Sequence, residues 1–395
     1  MGSGGREHAL AWKLVQSAGT ELHCAPGNPG IAELGACHPV RAEDAEGLLG
    51  LAGELGVDLV VVGPEGPLVA GVADALRKNG IAVFGPSRAA AQIEGSKSFA
   101  KDVLRAANVP TAETLTLARP PCVIKADGLA AGKGVFVCRT QAELDAALPA
   151  AAALGQQLVI EELLEGPEVS IFALCDGVNA IPLPSAQDFK RAYDGDEGPN
   201  TGGMGSYSPA PDVDVAELIE LVHRPVLAEL ARRDTPFIGV LFAGLMLTES
   251  GPKVLEFNCR FGDPETQSLA PRLEGSLLDA LAAAASGDVR GVDLREADDA
   301  AVTIVLTAGS YPAAGDTGSP IDGVEDAEAT GALVFHAGTA LRSGRLVTNG
   351  GRILDVTALG STLAEARERA YDAAARISFA GVRYRKDIAK EAAVV

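Results

Sequence analysis

The chain has 395 residues, enough for two or three domains around a large core. Its 47% hydrophobic and 22% charged residues describe a soluble globular protein. A formal net charge of −20 argues against nucleic acid and anionic membranes as partners, because the field of the whole protein repels both. Any phosphate site must therefore be locally basic. The six cysteines, at 24, 37, 122, 138, 175 and 259, include no C-x-x-C pair, which suits reduced thiols in a cytoplasmic protein. No apolar run approaches the roughly 18 residues of a membrane helix, and the start lacks the pattern of a signal peptide.

From residue 2 to about 85 helix and strand alternate: a helix over 9–17, a buried strand over 57–62, a helix over 68–79 and a strand over 81–84. This predicts a doubly wound α/β unit. A helix over 96–107 runs to the break at Pro110, and strands follow over 123–126, 135–138, 158–161, 169–175 and 180–183. Asp176-Gly177 marks a hairpin between the last two. A polar loop is expected over 194–208, a long helix over 214–233, and two strands over 240–247 and 253–258. The charged segment 288–299 is short of core residues and reads as a domain boundary. Beyond it come strands near 301–306, 332–335 and 352–357, and a helix over 361–377.

Chemistry concentrates first between Cys122 and Val137, where an apolar strand ends in Lys125, a small-residue loop carries Gly128, Lys133 and Gly134, and a second strand follows. Glycines admit backbone N–H groups close to anionic oxygens, and the two ammonium groups add mobile charge, so the segment reads as a flap over a triphosphate. Its spacing is not that of a P-loop. The competing reading is a hairpin turn with a stray lysine. Glu256 and Asn258 alternate with apolar residues on one strand, so both oxygens share a face; they suit Mg²⁺ carrying ATP phosphates, or else a strand edge facing solvent. Arg260, Asp263 and Glu265 follow directly.

The stretch 159–168, with Glu161, Glu162, Leu163, Leu164 and Glu168, leaves a strand through a turn. It offers backbone to an adenine edge and a carboxylate to a ribose, or is a solvated acidic turn. Segments 185–191, with Asp188 and Lys190, and 199–205, with Asn200, Thr201 and Gly202, are polar loops open to ordinary turn chemistry. Gly2 to His8 is a glycine turn opening a helix, an anion site with Arg6 nearby; it fails as a dinucleotide fingerprint because Glu7 stands in the third glycine's place.

Together these segments resemble one family, the phosphoribosylamine-glycine ligases (glycinamide ribonucleotide synthetases) of the ATP-grasp superfamily. The likeness runs through Gly4 to Ala9, Ala25 to Asn28, Val62 to Leu68, Phe84 to Pro86, Glu94 to Lys97, the lysine flap, Pro199 to Gly205 and Glu256 to Thr266. It continues through Phe335 to Thr339, Thr348 to Arg352 and Arg385 to Ile388.

The resemblance implies an α/β and α+β multidomain architecture: a Rossmann-like substrate domain over 1–95, an ATP-grasp core over 96–298 with a flap subdomain over about 112–187, and a small α+β domain over 299–395. It implies ligation of glycine to 5-phosphoribosylamine through glycyl phosphate, with ATP as co-substrate and Mg²⁺ or Mn²⁺ as cofactor. A monomer is expected. The alternatives are a non-catalytic nucleotide-binding remnant or a ligase for a different carboxylate and amine. By the same resemblance Lys97, Lys125 and Lys190 meet ATP, with Gly128, Lys133 and Gly134 in the flap. Glu161 to Leu164 hold adenine, Glu168 the ribose, and Glu256 and Asn258 the metal. Arg260, Lys125 and Asp188 are the catalytic candidates. Gly5, Arg6, Glu7, Gly63, Pro64, Glu65, Asn200, Thr201, Gly202 and Asp263 face the other substrates.

Three departures stand out. Phe189 replaces the family's usual histidine, the chain is shortened between Leu115 and Pro121, and the apolar strand that normally precedes Gly2 is absent. That strand is central in a doubly wound sheet, so its neighbours are expected to keep unpaired backbone groups, and the natural product is expected to begin upstream of Met1.

Overall fold

A computed structural model describes residues 1–130, 134–155 and 157–394. Helix α1 (Gly5–Leu14) opens at Gly4, whose N–H donates to Glu7 Oε2 at 2.7 Å, so the first turn caps itself. Strands β1 (His23–Cys24) and β2 (Ala36–Cys37) pair in parallel, as do β3 (Val60–Val61) and β4 (Val83–Phe84). The two pairs do not join. Between them lie Met1 and Gly2: the Met1 ammonium donates to Val61 O at 2.8 Å, Gly63 N donates to Met1 O at 3.1 Å, and Gly2 N donates to Ala25 O at 2.8 Å. An apolar groove of about 80 Å³, lined by Met1, Leu48, Leu51, Val60 and Leu76, runs beside this seam. The helix expected over 68–79 is two, Glu65–Ala70 and Val72–Lys78, because Gly71 at φ +92° breaks it.

Helix α2 (Lys97–Ala106) starts at Ser96, whose hydroxyl accepts from Phe99 N at 3.1 Å. A small antiparallel sheet, β6-β5-β7, is built from β5 (Cys122–Ala126), β6 (Val135–Cys138) and, after α3 (Gln141–Leu154), β7 (Leu158–Glu162). Alternation divides β5 cleanly. Cys122 and Ile124 pack with Leu144, Ala147 and Ala151 of α3, while Val123 and Lys125 line the cleft.

Strand β8 (Glu168–Asp176) leaves this unit and pairs with β9 (Ala180–Pro182) and with β12 (Ile238–Thr248), which pairs in turn with β13 (Gly251–Asn258). Phe172 of β8 lies opposite Phe242 of β12 with ring centroids 4.6 Å apart, a contact worth about 0.5–1.5 kcal/mol beyond its buried area. Between β9 and β12 the chain forms β10 (Gln187–Asp188) and β11 (Gly205–Ser208). The expected loop over 194–208 is thus partly strand: Glu197–Asn200 pairs with Arg191–Tyr193, and β11 is buried. The expected long helix runs from Val215 to Arg232 with a wider π turn over Ile219–His223.

After the short helix α4 (Glu265–Leu269), the last part supplies β14 (Ala300–Thr307), β15 (Leu333–His336), β16 (Arg352–Gly360) and α5 (Leu363–Ala374). One five-stranded sheet runs β10-β11-β14-β16-β15, so two strands from the middle of the chain complete the sheet of its end. Helix α5 buries Ala366, Ala370, Ala373 and Ala374 at helical spacing, a face of small residues that admits close approach to the sheet.

Candidate active site

The three parts of the chain surround one cleft of about 1600 Å³. One ligand typically needs about 300–1000 Å³, so the cleft has room for more than one substrate.

At one end β5 and β7 bring charges together. Val123 lies opposite Glu161 in the ladder, which puts Lys125 and Glu161 diagonally on the same face. Glu161 is 3% exposed, and its carboxylate lies between two ammonium groups, Lys125 at 2.7 Å and Lys101 of α2 at 2.8 Å. Lys125 also donates to Leu255 O at 2.8 Å, and Lys101 to Thr111 Oγ1 at 2.9 Å. Burial pulls the Lys101 pKa down and outweighs the opposing pull of Glu161.

Asp127, just past β5, caps α2: its carboxylate accepts from Lys97 N at 2.6 Å and from the Ser98 hydroxyl at 2.7 Å. Burial works against the charge of Asp127, yet these donors hold its pKa below the usual range. Lys97 donates to Gly128 O at 2.9 Å, and burial draws its pKa down. Gly128, at φ +106°, and Gly134 bracket the flap loop; Lys133 lies outside the described residues.

Glu256 and Asn258 project from β13 into the cleft. Burial opposes the charge on Glu256, but Lys190, Lys125, Lys97 and Arg260 outweigh it and keep the carboxyl below its ordinary pKa. Among the described residues no group of three or more His, Cys, Asp or Glu forms a metal cage. Two hard oxygens among lysines fit an ion that keeps waters and is shared with substrate phosphates, as Mg²⁺ prefers. Lys190 stands between Glu168 at 2.8 Å and Glu256 at 3.9 Å. Asp188 is pushed up to about 6 by burial against the pull of Lys190, and Glu265 up to about 8 by burial and by Asp188.

The other end is assembled from distant segments. Arg260 donates to Glu65 at 3.1 Å, Glu94 at 3.2 Å and Asn258 Oδ1 at 3.1 Å. Despite burial, Arg260 and Arg6 hold the Glu65 carboxyl down to about 2. Arg6 pairs with Glu7 at 2.6 Å and reaches Phe261 O at 3.3 Å. A Cβ on Gly63 would meet Glu7 Oε1 at 2.3 Å, and one on Gly5 would meet Asp355 Oδ2 at 1.8 Å, so the glycines let carboxylates pack on the main chain. Pro64 and Asn200 line the same cleft. The Thr201 hydroxyl donates to Lys190 O at 2.9 Å. Asp263 accepts from Arg352 at 2.7 Å and from Gln267 at 2.9 Å.

The sequence-predicted residues other than Lys133, which lies outside the described residues, and Gly5 and Gly63, which sit behind the wall, line one cleft. Within it the Glu161 carboxylate engages Lys101 and Lys125, and Glu168 is paired with Lys190. Lys101, Glu94, Tyr311, Arg352 and Asp355 join the site without a motif of their own that points to a role. Glu94 and Arg352 lie in the quoted motifs, so the signal was present without a partner to interpret it. Two rings do other work. His8 accepts from His336 N at 2.7 Å and packs on Phe335 at 5.5 Å, with its pKa drawn down to about 3 by burial; Phe189 lies under the Arg385 guanidinium at 4.9 Å.

The chain is similar to known proteins over its whole length. A phosphoribosylamine–glycine ligase of Streptomyces coelicolor is 52% identical over 413 residues, covering 100% of this chain and 98% of that protein. The crystal structure of a phosphoribosylamine–glycine ligase from Thermotoga maritima matches with a TM-score of 0.85 at 34% identity, over 98% of each chain. A biotin carboxylase domain from Hydrogenobacter thermophilus, solved with MgADP, matches with a TM-score of 0.70 at 17% identity over 97% of this chain and 90% of that one, a likeness of fold alone. Family models for the N, ATP-grasp (A) and C domains of phosphoribosylglycinamide synthetase match residues 1–94, 95–266 and 301–391 in turn. With all three domains matched in order and the cleft formed where they meet, the chain belongs to the phosphoribosylglycinamide synthetase family.

Proposed function

We propose that the chain ligates glycine to 5-phosphoribosylamine, giving glycinamide ribonucleotide, ADP and phosphate, a step of purine biosynthesis. The observation that carries this reading is the position of Arg260. It touches Asn258 of the metal face on one side and Glu65 and Glu94 of the opposite wall on the other, so nucleotide and acceptor share one guanidinium.

Lys97, Lys125 and Lys190 bind the ATP phosphates, and Glu161 with Lys101 fixes Lys125. Leu163, Leu164 and the main chain at Glu162 receive adenine, and Glu168 the ribose. Glu256 and Asn258 hold Mg²⁺ or Mn²⁺, which neutralises phosphate charge when bound. A glycine carboxylate oxygen attacks the γ-phosphorus and ADP leaves. Arg260 orients that carboxylate and stabilises the acyl phosphate. The amine nitrogen then attacks the acyl carbon, phosphate departs with the oxygen that came from glycine, and the nitrogen loses a proton. Asp188 receives that proton. Arg6, Glu7, Gly63, Pro64, Glu65, Asn200, Thr201, Gly202 and Asp263 surround the ribosylamine, and the flap excludes water that would hydrolyse the acyl phosphate.

A cytoplasmic monomer goes with this reading, and the net charge of −20 disfavours nucleic-acid and anionic-membrane partners. Among the described residues, no helix is long and apolar enough to cross a membrane. Glycine labelled with ¹⁸O in its carboxylate tests the chemistry. One labelled oxygen should appear in each phosphate released, and unlabelled phosphate would contradict the acyl-phosphate route.

A further inference from the structure

The acceptor end contains a contact that the proposed function does not use. Gly202 is held through both of its main-chain polar groups by residues from the last part of the chain. Its N–H donates to the Tyr311 hydroxyl at 2.9 Å, and its carbonyl accepts from Arg352. The same guanidinium donates to Asp263 Oδ2 at 2.7 Å and to Asp263 O at 3.1 Å. Arg352 and Tyr311 are themselves built as a unit. A Cβ on Gly351 would lie 2.5 Å from the Tyr311 ring, so the ring lies directly on the backbone beside Arg352. The loop has no slack on its other side either: Gly203, at φ +107°, would place a Cβ 2.3 Å from Pro264 Cδ. Burial opposes the charge on Asp263, but Arg352 and Arg6 keep its carboxyl ionised.

We propose that Arg352 and Tyr311 are positioning residues for the phosphoribosylamine site: they fix Gly202 and Asp263, from two separate loops, at the spacing the acceptor requires. The inference rests on the function proposed above. Neither side chain is assigned a contact with ATP, so their effect spares the nucleotide. A bidentate guanidinium sets both distance and orientation, which an ammonium cannot do. Displacement of either loop by about 1 Å is the kind of error that costs up to about a hundredfold in an oriented reaction.

The test uses the full chain with Arg352→Met, Arg352→Lys and Tyr311→Phe. The Michaelis constants for ribosylamine, glycine and ATP are measured separately, alongside melting temperature. Arg352→Met is expected to raise KM for ribosylamine at least about tenfold and leave KM for ATP within about twofold. Tyr311→Phe, which loses one neutral hydrogen bond, is expected to raise it about threefold to tenfold. Arg352→Lys is expected to fall between the parent and Arg352→Met. If Arg352→Met does not fold, the other two variants carry the test. Equal changes in all three constants, or an unmoved ribosylamine KM, would overturn the inference and return the pair to a purely structural role. A parent chain that makes no product with glycine and ribosylamine would overturn the function itself, and this inference with it.

Discussion

The two ends of the cleft are built in different ways. At the nucleotide end, Lys125, Glu161, Asp127 and Gly128 come from one small sheet and its adjoining loop, and α2 adds Lys97 and Lys101. At the acceptor end, Arg6, Glu65, Arg260 with Asp263, and Arg352 come from four segments spread over the chain, with contacts spanning 89 to 255 residues. Local secondary structure creates the first arrangement, whereas only the assembled fold creates the second. Damage at the nucleotide end away from the metal face should therefore remain a binding defect for ATP, while damage at the acceptor end should leave the ATP constant almost unmoved.

Arg260 is the residue on which that contrast is most exposed. Arg260→Met should lower kcat about a thousandfold, at the upper end of what one charge-stabilising group supplies, with KM for ATP within a few-fold. A comparable rise in the ATP constant would erase the distinction between the ends. Glu256→Gln keeps the shape and removes a charge from the metal face, so at least about a hundredfold loss in rate is expected. Rates within a few-fold of the parent at saturating Mg²⁺ would return Glu256 to an ordinary cleft carboxylate.

The same contrast explains what could be read in advance. Period-two alternation was sufficient to set Glu256 beside Asn258, because the end of β13 follows the pleat. Nothing local told that Arg352 would meet Asp263 or that Arg260 would meet Glu94 across 166 residues. Composition marked 194–208 as loop, yet β11 within it is buried because β14 pairs with it along its whole length. The break at Gly71 was likewise hidden, since one glycine inside an amphipathic pattern costs only about 1 kcal/mol until the fold uses its positive φ.

Lys101→Met sharpens the nucleotide side. It removes one of the two ammonium groups on a buried carboxylate, so KM for ATP should rise about tenfold while KM for ribosylamine stays put, measured by varying each substrate at saturation of the others. An unchanged ATP constant would mean that Lys125 alone suffices to hold Glu161.

A smaller effect is expected from pH. Asp188, pushed up to about 6, accepts a proton only as the carboxylate, which predominates above that pH. The rate should therefore fall as pH drops through about 6, roughly tenfold for each unit below it. Asp188→Asn should lower the plateau and abolish that limb. Persistence of the limb in the variant would place the titrating group elsewhere, with Glu265 the next carboxylate to replace.

The account stands or falls on substrate dependence. ADP release by the purified chain should require ATP, glycine and freshly prepared 5-phosphoribosylamine together, with one glycinamide ribonucleotide formed per ADP. Full-rate ADP release without either glycine or the ribosylamine, or with a different carboxylate and amine in their place, would contradict it.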